Sequence, residues 1–378
     1  YKTPEMLWVM LSLSVIFSIT GLSVQHSALL TRQMRFYSLA KIKIIALLAG
    51  IVIAIIAGYH GFGYWALVFN SLTNTTVNSL GCWIACRWVP GLPKRSVGVS
   101  SMIKFGADLV AFDVINYFSR NLDNILIGRY LGAGPLGLYS KAYQLLMMPI
   151  RNLRNPLNSV AMPALSRLQH EPQKYRDYYL KCVALLAFVS MPLVVFMFVC
   201  TDQLISLLLG SQWLEAAGIF KILAIASFIQ PVSGTSGMVL ISTGQSRLYL
   251  KLGVFSSAFI CTSFVVGLPW GVTGVATGYA VVNYLLLFPQ LYYSFKNTSI
   301  RLKFFGFTVL KPVVASIAMG VVLFLYFKNI VIDNVFFGLL SGFLLSAIIY
   351  LVAFALMPNG LIALKEYYSY RSSLFSKG

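Results

Sequence analysis

Runs of about 20 predominantly apolar residues recur from one end of this chain to the other, and runs of that length cross lipid bilayers as α-helices. Hydrocarbon offers no water to unpaired backbone N–H and C=O groups, so a spanning segment must satisfy them within itself. Eleven such spans are legible, at about 6–24, 42–60, 63–86, 104–128, 135–160, 180–200, 216–241, 249–269, 271–294, 309–328 and 335–356. A transmembrane barrel would need short segments of alternating hydrophobicity, and none stand out. Composition agrees: 58% of the 378 residues are hydrophobic and 10% are charged, against roughly a quarter charged in soluble proteins. The expected fold class is an all-α polytopic membrane protein with about 11 transmembrane helices.

A formal charge of +19 invites a nucleic-acid reading, but its placement points to topology. With the spans above, most of the 29 Lys and Arg fall on one side of the membrane. They include Arg32, Arg35, Lys41 and Lys43; Arg87, Lys94 and Arg95; Arg151, Arg154 and Arg167; and Lys365, Arg371 and Lys377. The other side offers Glu5, Asp202, Glu215 and Asp333. Retention of Lys and Arg in cytoplasmic loops produces this asymmetry. It predicts a cytoplasmic C-terminus, some attraction to anionic lipid and no nucleic-acid partner. The chain starts at Tyr1 and runs almost directly into a span, without a signal peptide's basic start and cleavage site. That reads as a polypeptide incomplete at its N-terminus.

An internal repeat organises the chain. "QMRFYSLAKIKIIALLAGIVIAIIAGYHGFGYWALVFN" from Gln33 parallels "QSRLYLKLGVFSSAFICTSFVVGLPWGVTGVATGYAVVN" from Gln245. Each begins with an Arg-aromatic-Lys cluster and continues as span, Gly-rich turn and span. Arg35 and Arg247 lie 212 residues apart, and the turn glycines Gly63 and Gly274 lie 211 apart. The basic clusters fall on one side in both copies, so the repeat is parallel, one recognised transporter architecture. Three spans precede the second copy that have no counterpart before the first. The repeat therefore predicts two six-span lobes plus two C-terminal spans, with three spans missing from the front. Expected domains are 1–95, the end of a first lobe; 96–300, a second lobe; and 301–378, two further helices and a tail.

The stretches "MIKFGADLVAFDVINYFSRNLDNILIGRYLGAGPLGLYSKAYQLLMMP", "AMPALSRLQHEPQKYRDYY" and "LLLGSQWLEAAGIFKILA", followed by "GMVLISTGQSRL", resemble Wzx-type polysaccharide repeat-unit flippases. Those flippases belong to the multidrug/oligosaccharidyl-lipid/polysaccharide exporter superfamily, and the similarity is greatest to its colanic-acid exporter branch. The resemblance implies a bacterial inner-membrane transporter with two lobes around a central cavity. It implies undecaprenyl-diphosphate-linked oligosaccharide as substrate, alternating access, and coupling to a proton or sodium gradient with no other cofactor. Polysaccharide polymerase and chain-length regulator proteins are the protein partners it suggests.

In span 104–128, Asp113, Asn116, Arg120 and Asp123/Asn124 recur every three to four residues and so share a helical stripe. Burying charge at the bilayer centre costs at least about 2.5–3.5 kcal/mol on insertion scales, so this stripe should face protein or water. Arg120 suits a diphosphate, since a guanidinium stays ionised and its fork matches phosphate oxygens. An internal pair of Arg120 with Asp123 or Asn116, tying helices together, remains an equal alternative. Asp113 and Asp123 are ion-coupling candidates, able to take a proton or ligate sodium, whereas Asp108 reads as a wet helix-end residue. In the next span, Lys141 and Gln144 share a face; Lys141 either adds charge against phosphate or snorkels to the interface. Arg151 and Arg154 make a basic vestibule beside Pro149 and Pro156, or simply lead the helix out of the membrane.

Other chemistry is thinly represented. No phosphate-binding G-x-x-x-x-G-K-[ST] loop occurs, so the chain is no ATPase. His26, His60 and His170 lack metal-ligand spacing, and the five cysteines read as packing residues. Two further functions stay in view: a cation-coupled small-molecule exporter of the same superfamily, and a membrane-embedded polysaccharide polymerase or glycosyltransferase. The outer loops are short for the latter, and the chain is expected not to be an enzyme.

Overall fold

The computed structural model describes residues 4–91, 100–330, 334–358 and 360–365, and for 4–6, 100, 101, 116, 119 and 120 it describes the backbone alone. The Glu5 side chain and residues Lys94, Arg95, Asp333, Tyr367, Tyr368, Arg371 and Lys377 therefore lie outside the described residues. Every regular element among the described residues is helical.

Two units are distinct, Tyr1–Val97 and Gly98–Lys377. The first holds α1 (Pro4–Arg32), α2 (Phe36–Tyr59) and α3 (Trp65–Cys86). Its small core joins Leu30, Ile42 and Cys82. His26 is buried there, stacked on Trp83 at 4.0 Å between ring centres and bonded through Nε2 to the Trp88 carbonyl at 3.0 Å.

The second unit contains α4 (Ser100–Tyr130), α5 (Ala133–Leu168), α6 (Pro172–Val199) and α7 (Thr201–Leu208). After a short 3₁₀ segment come α8 (Ala217–Ser233), α9 (Ser236–Ser242), α10 (Ser246–Gly267), α11 (Gly271–Phe295), α12 (Leu302–Asn329) and α13 (Val335–Ala355). Here α4 packs on α10, α10 on α11, α8 on both α6 and α11, and α12 on α6 and α13. The core runs through Ile127, Leu146, Phe220, Phe264 and Leu323, all essentially inaccessible. Outward faces carry large exposed apolar side chains such as Phe17, Ile55, Phe288 and Phe324, the arrangement a lipid solvent favours.

All eleven spans fall largely on helix, and several helices, α1, α4, α5 and α12 among them, outrun their spans at both ends. The span at 135–160 is part of a 36-residue α5, which at 1.5 Å per residue is about 54 Å long, well beyond a hydrocarbon core of about 30 Å. Hydropathy reports the apolar stretch and misses polar turns added at either end. Among the described residues, seven stretches are apolar enough to count as spans by composition alone, and one of them, Ser246–Phe295, is the α10–α11 pair. Helices α3, α4 and α5 are long enough but too polar for that criterion. The span at 216–241 is two helices, because Pro231 and Gly234 interrupt α8 before α9 begins.

The repeat recurs in backbone geometry with a slightly different register. Met34 and Gly244, 210 residues apart, are left-handed at φ 57° and 75°. The chain closes the preceding helix at each with the same pattern: Met34 N–H to Thr31 C=O and Arg35 N–H to Leu30 C=O, then Gly244 to Ile241 and Gln245 to Leu240. These are paired Schellman caps. The left-handed turn glycines Gly61 and Gly271 share the 210-residue offset. Side-chain matching gives 212 and 211 because aligning the arginines skips a residue or two that the backbone counts. The second hairpin is very close: a Cβ on Gly278 of α11 would sit 2.7 Å from the Ser263 carbonyl of α10, so only glycine permits this helix separation.

Candidate functional site

Polar groups inside the second unit converge where α4, α5, α8, α10 and α11 meet. Asp123, on the inner face of α4, is only 5% exposed. Its Oδ2 accepts a hydrogen bond from the Tyr139 hydroxyl of α5 at 2.8 Å, and its Oδ1 accepts the Asn124 backbone N–H at 2.7 Å. One step along, Ser140 Oγ donates to Asn124 Oδ1 at 3.1 Å. Two successive polar pairs thus join α4 to α5, and a buried carboxylate without such donors would be costly.

Asp123 borders an internal cavity of about 190 Å³ whose lining also includes Arg154, Tyr143, Gln230, Tyr279 and Asn283. At roughly 30 Å³ per water, it has room for several waters or a partly hydrated cation. Its far wall is braced: Gln230 Nε2 donates to the Tyr279 hydroxyl at 2.7 Å, and Asn283 Nδ2 donates to the Tyr279 carbonyl at 2.7 Å. Arg154 reaches the α8–α9 break, where its Nη2 donates to the Gly234 carbonyl at 3.4 Å. Breaking a helix frees carbonyls, and polar side chains at the break take them up. Two tyrosines of α6 meet α9 and the break before it, Tyr179 hydroxyl against Thr235 Oγ1 at 2.8 Å and Tyr175 hydroxyl against Ser242 Oγ at 2.7 Å.

The sequence-predicted residues divide between this cavity and exposed surface. Asp123 and Arg154 line the cavity, and Asn124 sits half-buried at the α4–α5 junction. Lys141, Gln144 and Arg151 are exposed on α5; spaced by three and seven residues, they stack along one helical face together with Met148. Asp113 is exposed on α4, turned away from the buried face that carries Asp123. The side chains of Asn116 and Arg120 lie outside the described residues. Asp108, read as a wet helix-end residue, instead accepts a hydrogen bond from Ser246 Oγ of α10 at 3.0 Å.

Sequence reasoning missed Gln230, Tyr279 and Asn283. The signal existed, since amide side chains inside apolar spans are rare and tend to face protein or water. It also passed over α3, where Asn70, Asn74 and Asn78 recur every fourth residue. No group of three or more His, Cys, Asp or Glu among the described residues is placed to hold a metal ion.

A family model described as "Polysaccharide biosynthesis protein" matches residues 1–218, more than half of the chain. The chain belongs to this polysaccharide biosynthesis family. Similar to it are the teichuronic acid biosynthesis protein TuaB of Bacillus subtilis, 27% identical over 86% of this chain and 68% of its own length, and the lipopolysaccharide biosynthesis protein WzxC of Escherichia coli, 24% identical over 85% and 68%. Among solved structures, the lipid II flippase MurJ in an inward closed conformation superposes with a TM-score of 0.61 at 15% identity, covering 84% of this chain and 67% of that one. Members of the polysaccharide biosynthesis family can therefore be built on a flippase fold, and this one is an all-α, multi-pass membrane protein.

Proposed function

We propose that this protein is a flippase that moves undecaprenyl-diphosphate-linked oligosaccharide repeat units across the bacterial inner membrane for polysaccharide biosynthesis, by alternating access coupled to a proton or sodium gradient. Family membership and the flippase fold support the substrate class, and one observation carries the residue-level reading. The exposed face of α5 aligns Lys141, Gln144 and Arg151, in a helix too polar to be packed against lipid all round. Lys141 and Arg151 meet the diphosphate through charge-assisted hydrogen bonds, and Gln144 serves the sugar hydroxyls. Arg120 and Asn116 remain diphosphate and glycan candidates on the sequence pattern alone, and Asn124 is a further candidate at the α4–α5 junction.

Ion coupling belongs to the internal cavity. Asp123 takes the proton or sodium ion, and Asp113 is a second carboxylate available on α4. Arg154, at the α8–α9 break, links occupancy of the cavity to the position of α9. The protein acts as a transporter and not as an enzyme. The experiment is export of polysaccharide in cells carrying Lys141→Ala, Arg151→Ala or the double variant at matched protein abundance. The double variant should lose export; unchanged surface polysaccharide would refute the role given to this face.

A further inference from the structure

On the inner face of α4, Asp123 is preceded by Phe112 and Asp108. At 3.6 residues per turn the three lie within about 60° of arc, with Phe112 about 16 Å from Asp123 along the helix and Asp108 about 6 Å further on. The facing side of α10 carries Ser246, Tyr249, Gly253 and Ser257, spaced by three to four residues. Contacts pair the two rows level by level. Ser246 Oγ donates to Asp108 Oδ2 at 3.0 Å. One turn deeper, the Phe112 and Tyr249 rings meet at 3.9 Å between centres, 32° apart in plane.

Two glycines make the bed for these rings. Phe112 lies against Gly253, where a Cβ would overlap the ring edge, and Tyr249 backs onto Gly237 of α9, where a Cβ would come within 3.0 Å. All four residues border the cavity that holds Asp123. The order along α4 and α10 is therefore polar, aromatic, polar: the Asp108–Ser246 bond, the ring pair, then the cavity with Asp123 and Ser257. An apolar constriction between two polar regions excludes water while it is narrow and conducts once it widens, the physics of a hydrophobic gate. A carboxylate that exchanges an ion needs such a barrier, since a cavity open to both sides at once would dissipate the gradient that drives it.

We propose that the Phe112–Tyr249 pair is a gate that closes the Asp123 cavity on the Asp108 side, and that the Asp108–Ser246 bond latches it. Opening requires α4 to shift against α10, which lifts the Phe112 ring off Gly253. The proposal rests on the reading of this cavity as the ion site, and adds to it the residues that control access.

Ser257→Cys places a thiol on the cavity wall one turn beyond Gly253, and its modification by a small charged methanethiosulfonate in the purified protein measures access. Peptide mass spectrometry reads residue 257 alone, so the five native cysteines stay in place. With the gate intact, labelling should be slow. Adding Asp108→Ala should speed it about fivefold, the shift in an opening equilibrium made by losing one hydrogen bond of about 1 kcal/mol. Phe112→Ala should speed it more, and Phe112→Leu, which keeps apolar bulk, should stay near the parent rate. Gly253→Ala keeps the ring but displaces it and should also label fast, which covers the case in which Phe112→Ala folds poorly. Parent-rate labelling in both Phe112→Ala and Gly253→Ala, or labelling of Phe112→Leu as fast as Phe112→Ala, would overturn the gate. Sodium and proton uptake by liposomes carrying Phe112→Ala separates the two readings: fast labelling without added uptake supports the gate and counts against Asp123 as the ion site.

Discussion

Tyr139 donates its hydroxyl hydrogen to Asp123 Oδ2 at 2.8 Å, joining α5 to α4 at a point where both side chains are buried. Together with the Ser140–Asn124 pair one step along, this bond fixes the register of the carboxylate against the cavity. It also holds the carboxylate at the cavity that Gln230, Tyr279 and Asn283 line from the other side. Tyr139→Phe should therefore lower stability in detergent by about 1–3 kcal/mol, the cost of withdrawing a donor from a buried acceptor. Thermal unfolding of the purified protein checks this; an unchanged midpoint would mean that the bond does not hold the pair.

Asp123→Asn retains the shape of the side chain and an oxygen to accept from Tyr139, while removing the charge. The variant should accumulate normally, yet its transport should no longer respond to the proton or sodium gradient. Asp113→Asn, at an exposed position, provides the comparison. If transport by Asp123→Asn follows the gradient as wild type does, the coupling site lies elsewhere.

The two Schellman caps differ in one residue. Gly244 adopts its left-handed conformation freely, whereas Met34 adopts it at φ 57°, at roughly 1–2 kcal/mol for a residue with a side chain. Met34→Gly should raise stability by about 1 kcal/mol and Gly244→Ala should lower it by a similar amount. Opposite signs in paired unfolding measurements are the expected result, and matching signs would contradict the equivalence of the caps.

Close packing of α10 on α11 makes a sharper contrast. Gly278→Ala brings a methyl within 2.7 Å of the Ser263 carbonyl and should cost about 1–3 kcal/mol by overpacking. Gly306→Ala, whose added methyl would meet nothing within 4 Å, should be neutral or stabilising by up to about 1 kcal/mol. Membrane-inserted yield and unfolding temperature report both.

The fold was largely legible because lipid imposes so few solutions. Each of the eleven apolar runs falls largely on helix, and the spans at 104–128 and 135–160 mark even the more polar α4 and α5. Helix length was not legible, since the added turns of α1 and α5 are polar and leave no hydropathy trace. The break between α8 and α9 was signalled by Pro231 and Gly234 but was masked by apolar residues on both sides. At the site, Asp123 stood out as a charge in an oily helix. Its surroundings did not, because Gln230, Tyr279 and Asn283 lie more than 100 residues further on, and only packing brings them together. The same blindness hid Asp108's bond to Ser246, a contact across 138 positions. Spacing along one helix likewise grouped Asp113 with Asp123, and only the neighbouring helices separate an exposed carboxylate from a buried one.

The central claim is movement of a lipid-linked sugar from one leaflet to the other. Purified protein in liposomes loaded with undecaprenyl-diphosphate-linked oligosaccharide, probed by a membrane-impermeant sugar-oxidising reagent, measures that movement directly. The account predicts that protection of the inner-leaflet sugar is lost when a proton or sodium gradient is imposed on wild type, and is kept in Lys141→Ala/Arg151→Ala. Protection that persists in wild type under either gradient would contradict it.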